Sequence, residues 1–362
     1  MAKILNVGIK EFKERISNKK IILWGAGRVA HSYVLRFCKN LNIIYAIDKN
    51  EKLHGKYLTI EDHKYPIYSE KKLIEDIKNN KEIQNDIILL ITSTVYAGEI
   101  MKHINSIKEF EYLECYVGVL LGNYCEPTSF NFTEGNAKIS KKIHYCWFGK
   151  NEIPDHIKKY MESWHVCCPD FEIIRWDESN YDISKNRYMK EAYECKKWGF
   201  VPDYARLDII YNEGGIYLDT DVEVLKPLEI FLNDDMFCGF GGNMGINLGC
   251  GFGAIKKHNL IKQLRDYYDD KTFFLENGEM NLISCIEYQN PILEQFGFSL
   301  NNSYQKRNGV VVYPSDVLLT SLDIDNRHMT ENTVAIHHVE GSWLSVKERQ
   351  AYKQLKQEIS SI

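Results

Sequence analysis

One stretch of the chain, residues 201–227, constrains the fold more than any other: it reads VPDYARLDIIYNEGGIYLDTDVEVLKP. Proline is well tolerated in the first turn of a helix, so a helix is predicted to begin at Pro202. Gly214 and Gly215 are typical of a helix end. The apolar residues 216–218 then predict a short strand whose carboxyl end carries acidic residues. Open α/β sheets bind their ligands at that edge.

The acidic residues, Asp219 and Asp221, are separated by one threonine. Two carboxylates at a strand end can act together on one hard divalent cation, which needs oxygen ligands and commonly also bridges substrate phosphates. An isolated Asp-x-Asp is usually an exposed acidic turn, but the preceding helix, double glycine and strand favour a metal site. Upstream, Asp203 and Arg206 lie three residues apart and therefore share one face of the predicted helix.

Residues 20–116 alternate between short apolar segments and segments with helical spacing. The apolar segments at 20–24, 43–48 and 86–92 predict buried strands of a parallel sheet that is covered on both faces. Residues 122–137 are polar and rich in turn-forming residues, which is typical of a domain boundary.

The length of 362 residues suits two domains better than one core. We therefore predict an α/β protein with a Rossmann-like domain over residues 1–126 and a second domain over 137–362. The net charge of −5 gives no basic field for nucleic acid, and no apolar run is long enough to span a membrane. The N-terminus lacks the apolar segment of a signal peptide, and the ten cysteines form no CxxC pair, so we expect reduced thiols in a cytoplasm.

The N-terminal domain carries a short glycine turn, Gly25-Ala26-Gly27, after its first long strand, and Asp48 ends the next strand. This resembles a dinucleotide-binding turn, in which backbone N–H groups face a phosphate. Ala30 replaces the third glycine of that pattern, and no hydride-transfer residues follow. A scaffold or regulatory role is therefore favoured over redox catalysis, and a non-enzymatic sugar-nucleotide sensor is an alternative function.

Residues 239–253, GFGGNMGINLGCGFG, are also rich in glycine. A phosphate cradle of the P-loop type would need a lysine in a fixed order, and that lysine is missing. The run therefore predicts a close-packed loop and strand near an acceptor, with Asn247 as a contact.

The motifs at Asp203-x-x-Arg206 and Gly214-Gly215-x-Tyr217-x-Asp219-x-Asp221 together resemble glycosyltransferase family 32, which includes capsular polysaccharide and yeast outer-chain mannosyl transferases. They are similar too to the glucosyltransferase domain of large clostridial toxins. The resemblance extends over residues 138–345. It includes KKIHYCWFG at 141–149 as a first strand and AIHHVEGSW at 335–343 as a closing motif. The N-terminal domain lies outside it.

The resemblance implies a GT-A fold, a Mn²⁺ or Mg²⁺ ion and retention of anomeric configuration. It implies that Trp147 stacks on the nucleobase and that Asp203 holds the ribose or sugar of the donor. Arg206 would hold the sugar or diphosphate, Asp219 would contact donor and metal, and Asp221 would bind the metal directly. Arg206, Asp219 and Asp221 are thus the predicted catalytic residues.

The closing motif would complete the site. Adjacent histidines on a strand point to opposite faces, so only one of His337 and His338 is expected to face the cleft. We assign His337 to the metal, although His338, Glu340 and Ser342 remain alternatives for completing the metal shell. The resemblance also implies that Ser342 and Trp343 contact the donor, with Trp343 closing over the diphosphate.

Together these features predict a retaining, metal-dependent glycosyltransferase that acts on a nucleotide-sugar donor. A UDP-sugar is favoured and GDP-mannose is the alternative; the acceptor would be a hydroxyl of a glycan or lipid-linked oligosaccharide in surface polysaccharide synthesis. We expect a cytoplasmic enzyme without a membrane span, gathered at the inner membrane face by a lipid-linked acceptor. An aspartyl-phosphate phosphatase is a rival, but such enzymes usually carry Thr or Val where this chain has Glu223.

Overall fold

The computed structural model describes most of the chain. The described residues are 2–5, 7–27, 30, 42–60, 62–81, 83–93, 95–121, 129–241, 245–320, 329–341 and 346–359. They form two compact units, which divide between residues 125 and 126. No helix among them is both long enough and apolar enough to cross a bilayer.

The first unit is built on a seven-stranded sheet. Its strands are β1 (Lys3–Leu5), β2 (Lys20–Trp24), β3 (Ile43–Ile47), β4 (Tyr57–Ile60), β5 (His63–Tyr68), β6 (Ile87–Ile91) and β7 (Glu114–Val117). Its helices are α1 (Ile9–Ile16), α2 (Glu70–Asn79), α3 (Ile83–Asp86), α4 (Ala97–Ser106) and α5 (Gly118–Leu121), with the C-terminal helix described below.

The order of this sheet is β1-β7-β6-β2-β3-β5-β4. All neighbouring strands are parallel except β4, which pairs antiparallel with β5. Strands β5-β3-β2-β6-β7 therefore have the 3-2-1-4-5 part of the Rossmann order 3-2-1-4-5-6. The central strand β6 is buried along its whole length, as its unalternated apolar sequence predicts. The predicted Rossmann-like architecture is thus present.

The second unit contains two sheets. Its strands are β8 (Lys142–Cys146), β9 (Glu172–Trp176), β10 (Gly215–Tyr217), β11 (Val222–Val224), β12 (Met236–Gly239), β13 (Phe252–Ala254), β14 (Gln305–Arg307), β15 (Val310–Tyr313), β16 (Leu318–Thr320) and β17 (Ala335–His337). Its helices are α6 (Asp155–Cys167), α7 (Arg187–Glu194), α8 (Pro202–Glu213), α9 (Asn259–Asp266) and α10 (Cys285–Gln295).

The larger sheet has the order β14-β15-β12-β13-β10-β8-β9, and the smaller sheet has the order β11-β17-β16. In the larger sheet, β8, β9 and β10 run parallel, whereas β13 is antiparallel to both of its neighbours. Alternate residues face separate apolar clusters: Val310 and Val312 belong to one, Val311 and Tyr313 to the other. The sheet is therefore covered on both faces, and the predicted α/β class is confirmed.

The chain crosses from the larger to the smaller sheet between β10 and β11. Pro202 stands at the start of α8, and Gly214 ends it with a φ of 67°. A Cβ atom at Gly214 would lie 2.9 Å from the backbone nitrogen of Lys256, so glycine also allows the close approach of the segment that follows β13. The acidic pair Asp219 and Asp221 occupies the connection between the two sheets.

The C-terminal helix α11 (Val346–Ile359) belongs to the first unit, where it packs on α4. A Cβ atom on Gly98 would lie 2.7 Å from the Cα of Leu355, so the helices approach backbone to backbone. The predicted division placed this helix in the second domain. That placement is wrong, because amphipathic spacing predicts a helix without identifying the surface on which it packs.

Candidate functional site

The pairing of two short strands brings His337 to the acidic turn. Strand β11 pairs antiparallel with β17, and Val222 lies opposite His337. The Nε2 atom of His337 lies 3.2 Å from Oδ1 of Asp221. The backbone N–H of Glu340 donates to the other carboxylate oxygen of Asp221 at 2.8 Å. The carboxylate of Asp221 is therefore held from two sides.

The neighbouring histidine points elsewhere. Nε2 of His338 lies 2.8 Å from a carboxylate oxygen of Glu223, and its ring stacks on Tyr160 with ring centres 4.0 Å apart. Only His337 of the two faces the aspartates, as the alternation of side chains along a strand requires. The Glu340 backbone contacts Asp221, while Ser342 and Trp343 lie outside the described residues.

The donor atoms of Asp219, Asp221 and His337 all lie within 4.8 Å of one another. Two carboxylates and an imidazole are ligands that Mn²⁺ accepts, and carboxylates are the ligands that Mg²⁺ uses. The donor set and its spacing therefore fit a divalent cation of either kind, with the imidazole favouring Mn²⁺. Among the residues that the structure describes, this is the group of three acidic, histidine or cysteine side chains with such spacing.

The charges of Asp221 and His337 stabilise one another. Burial works against the charge on Asp221, but the His337 ring and the Glu340 N–H outweigh it and lower the pKa of Asp221 to about 2. Burial also opposes the charged form of His337, yet the Asp221 carboxylate raises the pKa of His337 well above its usual range. A bound cation would take the place of the imidazole proton, so binding should release protons.

A buried arginine connects the acidic turn to α8. Arg206 is only 3% exposed; it forms an ion pair with Asp203, and its Nη1 lies 3.4 Å from Oδ2 of Asp219. Its Nε donates to the backbone oxygen of Pro202 at 3.1 Å. The guanidinium thus spans the helix and the turn, and the pair is not the surface ion pair that the spacing alone would also allow.

Burial sets the protonation of the carboxylates around this arginine. It raises the pKa of Asp203 to about 6, against the opposing effect of the Arg206 guanidinium. It likewise raises the pKa of Asp219, again opposed by Arg206 and reinforced by the negative charge of Asp221. Helix α8 is buried from Asp203 to Ile210, so these charges have little water and depend on one another.

Two further residues touch this cluster and were not singled out in the sequence. A Cβ atom on Gly249 would lie 3.0 Å from Oδ2 of Asp219 and 3.4 Å from Nη1 of Arg206, so its glycine lets the loop approach the pair. Burial and the nearby Asp203 carboxylate raise the pKa of the Cys285 thiol, at the start of α10, so this thiol faces the same cluster. The glycine-rich run signals a close approach without indicating which glycine makes it, and no sequence pattern points to the cysteine.

Asn247 supports the loop that carries Gly249. Its side-chain oxygen accepts a hydrogen bond from the Gly249 N–H at 2.8 Å and so caps the 3₁₀ turn Leu248–Cys250. The described parts of the glycine-rich run, residues 239–241 and 245–253, are buried, as a close-packed loop and strand would be. The predicted contact of Asn247 with an acceptor stays a prediction.

The predicted nucleobase platform, Trp147, directly follows β8. It is half-buried, its indole N–H donates to the backbone oxygen of Asn151 at 2.7 Å, and its ring packs against the apolar cluster that contains Ile143 and Trp164. One part of the ring remains accessible. Its stacking role stays a prediction.

The N-terminal glycine turn has a different environment. The carboxylate of Asp48 accepts the backbone N–H of Ala26 at 2.8 Å and that of Asn50 at 2.8 Å. The Asp48 backbone oxygen lies 2.7 Å from Nε2 of His54. The acidic group that a dinucleotide ribose would need is therefore bonded to the turn itself.

Residues 154–238 match the protein family described as glycosyltransferase sugar-binding region containing DXD motif. The match includes Asp203, Arg206, Asp219 and Asp221. Over 110 residues the chain is 32% identical to inositol phosphoceramide mannosyltransferase 3 of Schizosaccharomyces pombe, over 28% of this chain and 30% of that protein.

Over 132 residues it is 26% identical to subversion of eukaryotic traffic protein A of Legionella pneumophila, over 29% of this chain and 20% of that protein. The chain thus spans less than a third of the length of these curated relatives. Among solved structures it is similar to the PaToxG glycosyltransferase, with 15% identity and a TM-score of 0.36 over 61% of this chain and 86% of that chain. A TM-score this low supports no further comparison.

Proposed function

We propose that this chain, a DXD-containing glycosyltransferase related to family 32 as its motifs predicted, transfers a sugar from a nucleotide-sugar donor to a hydroxyl group. A GT-A type site in residues 126–341 would bind the donor together with Mn²⁺ or Mg²⁺. The observation that carries the proposal is that Asp219, Asp221, His337 and Arg206 converge at one turn. Of these, Arg206, Asp219 and Asp221 lie within the residues that match the family.

Each side chain has a distinct task in this proposal. Asp221 and His337 would bind the cation, and Asp219 would contact both the cation and the donor. When bound, the cation supplies positive charge to a departing diphosphate. Arg206 adds a planar fork of N–H donors that suits sugar or phosphate oxygens, and Asp203 holds that fork in place.

The reaction class is glycosyl transfer with retention. The bond between the anomeric carbon and the phosphate oxygen breaks, a bond to the acceptor oxygen forms on the same face, and the departing phosphate takes the acceptor proton. An oxocarbenium-like transition state would develop positive charge on the sugar, as in glycoside hydrolysis. Because the charged residues are already positioned by burial and by one another, the protein contributes orientation and preorganised electrostatics.

A UDP-sugar is our first choice of donor, with GDP-mannose second. The acceptor would be a glycan or a lipid-linked oligosaccharide in surface polysaccharide synthesis, and we place the enzyme in the cytoplasm at the inner membrane face. Trp147 would stack on the base, Ser342 would contact the donor, and Trp343 would close over the diphosphate. For the N-terminal unit we propose a scaffold or regulatory role, because Asp48 already occupies the N–H group of its glycine turn.

Release of nucleoside diphosphate tests the proposal. The full chain would be incubated with a panel of UDP- and GDP-sugars, with Mn²⁺, with Mg²⁺ or with excess chelator. Metal-dependent release from one class of donor is expected, and an aryl phosphate should not be hydrolysed. Hydrolysis of the aryl phosphate without release from any donor would favour the phosphatase and overturn the proposal.

A further inference from the structure

The imidazole of His337 has a second nitrogen that the proposed site does not use. Its Nε2 faces Asp221, whereas its Nδ1 is buried and makes no hydrogen bond within the described parts of the chain. A histidine that binds a metal usually donates its other N–H to a neighbouring acceptor, which fixes the tautomer and the orientation of the ring. A group on the far side of the ring would therefore decide how His337 presents Nε2.

That group is the thiol of Cys250. The side chain of Cys250 is only 1% exposed, and the 3₁₀ turn Leu248–Cys250 packs against β17, the strand that carries His337. Its Sγ atom lies 2.8 Å from the hydroxyl oxygen of Thr320. Thr320 is itself the residue opposite His337 in the parallel pairing of β16 with β17. Cys250, Thr320 and His337 thus lie together beside the acidic turn.

The backbone gives Cys250 little freedom to move. Cys250 is the last residue of the 3₁₀ turn that Asn247 caps, and Gly251 follows with a φ of 121°. A Cβ atom on Gly251 would lie 3.1 Å from the Leu218 side chain, immediately before Asp219. The turn is therefore packed against the strand that carries the acidic pair, and the thiol position is set by that packing.

We propose that Cys250, held by Thr320, is a positioning residue that orients His337 for cation binding. When a cation binds, the thiol would donate its hydrogen to the Thr320 hydroxyl, and the His337 ring would carry its proton on Nδ1, where the sulfur of Cys250 would accept it. This leaves the Nε2 lone pair directed at the cation beside Asp221. The inference rests on the proposed function, since it assigns a role to residues behind the same site. It gives Cys250 no contact with donor, cation or reacting atoms.

Cation affinity measures this role directly. Mn²⁺ alone would be titrated into the full chain, with free Mn²⁺ followed by electron paramagnetic resonance. Loss of an outer-shell partner typically weakens metal binding about 10- to 100-fold, so Cys250→Ala should weaken Mn²⁺ binding by roughly 10-fold. Cys250→Ser keeps a hydrogen-bonding group and should retain most of the affinity. Thr320→Val should produce a smaller loss than Cys250→Ala.

Cys238→Ala is the matched control. Cys238 is a fully buried thiol on β12, in the apolar cluster, and burial alone raises its pKa, to about 12. Its removal should lower the melting temperature about as much as Cys250→Ala does, without changing Mn²⁺ affinity. In a His337→Ala background, Cys250→Ala should have no further effect on affinity, because the ring through which it acts is gone.

The possible outcomes separate this inference from the proposed function. If Asp221→Asn and His337→Ala weaken Mn²⁺ binding but Cys250→Ala behaves like Cys238→Ala, the positioning role is wrong and the metal site stands. If Cys250→Ala does not fold, the other two variants decide. The positioning role would be overturned if Thr320→Val bound Mn²⁺ as tightly as wild type and Cys250→Ser lost affinity. If wild type binds no Mn²⁺, the positioning role fails, and release of nucleoside diphosphate in Mg²⁺ decides whether the proposed function stands.

Discussion

Both units have aspartate at the carboxyl end of a parallel strand, near glycines. The hydrogen-bond and charge partners of these aspartates differ between the units. The carboxylate of Asp48 accepts hydrogen bonds from the backbone N–H groups of Ala26, in the glycine turn, and of Asn50. Asp219 and Asp221 instead meet side chains, namely Arg206 and His337, that arrive from other elements. The same strand-end pattern therefore gives a self-contained turn in one unit and a convergent site in the other.

This difference shows why a strand-end motif is not sufficient evidence of a ligand site. A carboxylate that accepts nearby backbone N–H groups has already replaced its lost hydration. A pair of carboxylates that cannot do so locally must be neutralised by cations from elsewhere in the fold. Here one cation is the guanidinium of Arg206, and the donor atoms of Asp219, Asp221 and His337 lie close enough together to hold a metal ion as another.

Removal of a direct ligand should have the largest effect. Asp221→Asn is nearly isosteric, but the amide lacks the negative charge, so transfer should fall by more than the roughly 100-fold that outer-shell losses reach. Asp48→Asn, the equivalent change in the first unit, should leave transfer unchanged. Initial rates of donor turnover at saturating Mn²⁺ would measure both. Equal losses in the two variants would remove the contrast between the units.

Substitution of the connecting arginine should have the next largest effect. Arg206→Lys keeps the charge but loses the planar fork, so it cannot reach Asp203 and Asp219 in the same way. Turnover should fall by roughly 10-fold, equivalent to about 1.4 kcal/mol in the barrier. A steady-state analysis with the chosen donor would test this. Near-normal turnover in both Arg206→Lys and Asp203→Ala would make the pair purely structural.

Replacing a glycine by alanine adds one methyl group and tests whether the site in each unit needs the close contact that glycine allows. In Gly249→Ala, the new Cβ would crowd Oδ2 of Asp219 at 3.0 Å, so kcat should fall several-fold while the protein remains folded. A Cβ on Gly27 would meet nothing within 4 Å, so Gly27→Ala should leave kcat unchanged. Its stability should be equal or greater by about 0.4–1 kcal/mol if the backbone accepts alanine. Unchanged kcat in both variants would mean that Gly249 is not close to the reacting donor.

The smallest effect expected is in a redox assay. Because Asp48 is occupied by the glycine turn, the first unit should not support nicotinamide-linked oxidation of sugar nucleotides. Absorbance at the reduced-nicotinamide band should stay constant on adding the full chain. A steady, enzyme-dependent change would show that the turn is an active dinucleotide site after all.

Local sequence predicted much of the second unit's site. The proline start and glycine end of α8 are visible in the chain, and the three-residue spacing brings Asp203 and Arg206 together. The strand that delivers Asp219 is likewise a local feature. These elements depend on backbone preferences and helix geometry, which a short stretch of sequence contains.

The rest of the site depends on the register between distant strands. Alternation predicts that one of His337 and His338 faces the cleft, but only the pairing of Val222 with His337 decides which one. Gly249, Cys250 and Cys285 reach the site through loop packing that no periodicity encodes. The C-terminal helix was placed in the wrong unit because its amphipathic spacing does not identify the surface on which it packs.

Thermal stabilisation by donor and metal tests the central contrast most directly. A ligand that binds only the folded protein adds about 2.7 kcal/mol of stability at 100 times its Kd, which raises the melting temperature. Wild type and Asp48→Asn would be heated with UDP- and GDP-sugars, with and without Mn²⁺, beside Asp221→Asn. The account predicts a Mn²⁺-dependent increase in wild type and Asp48→Asn and none in Asp221→Asn. An increase that persists in Asp221→Asn but disappears in Asp48→Asn would contradict it, because the donor would then bind in the first unit.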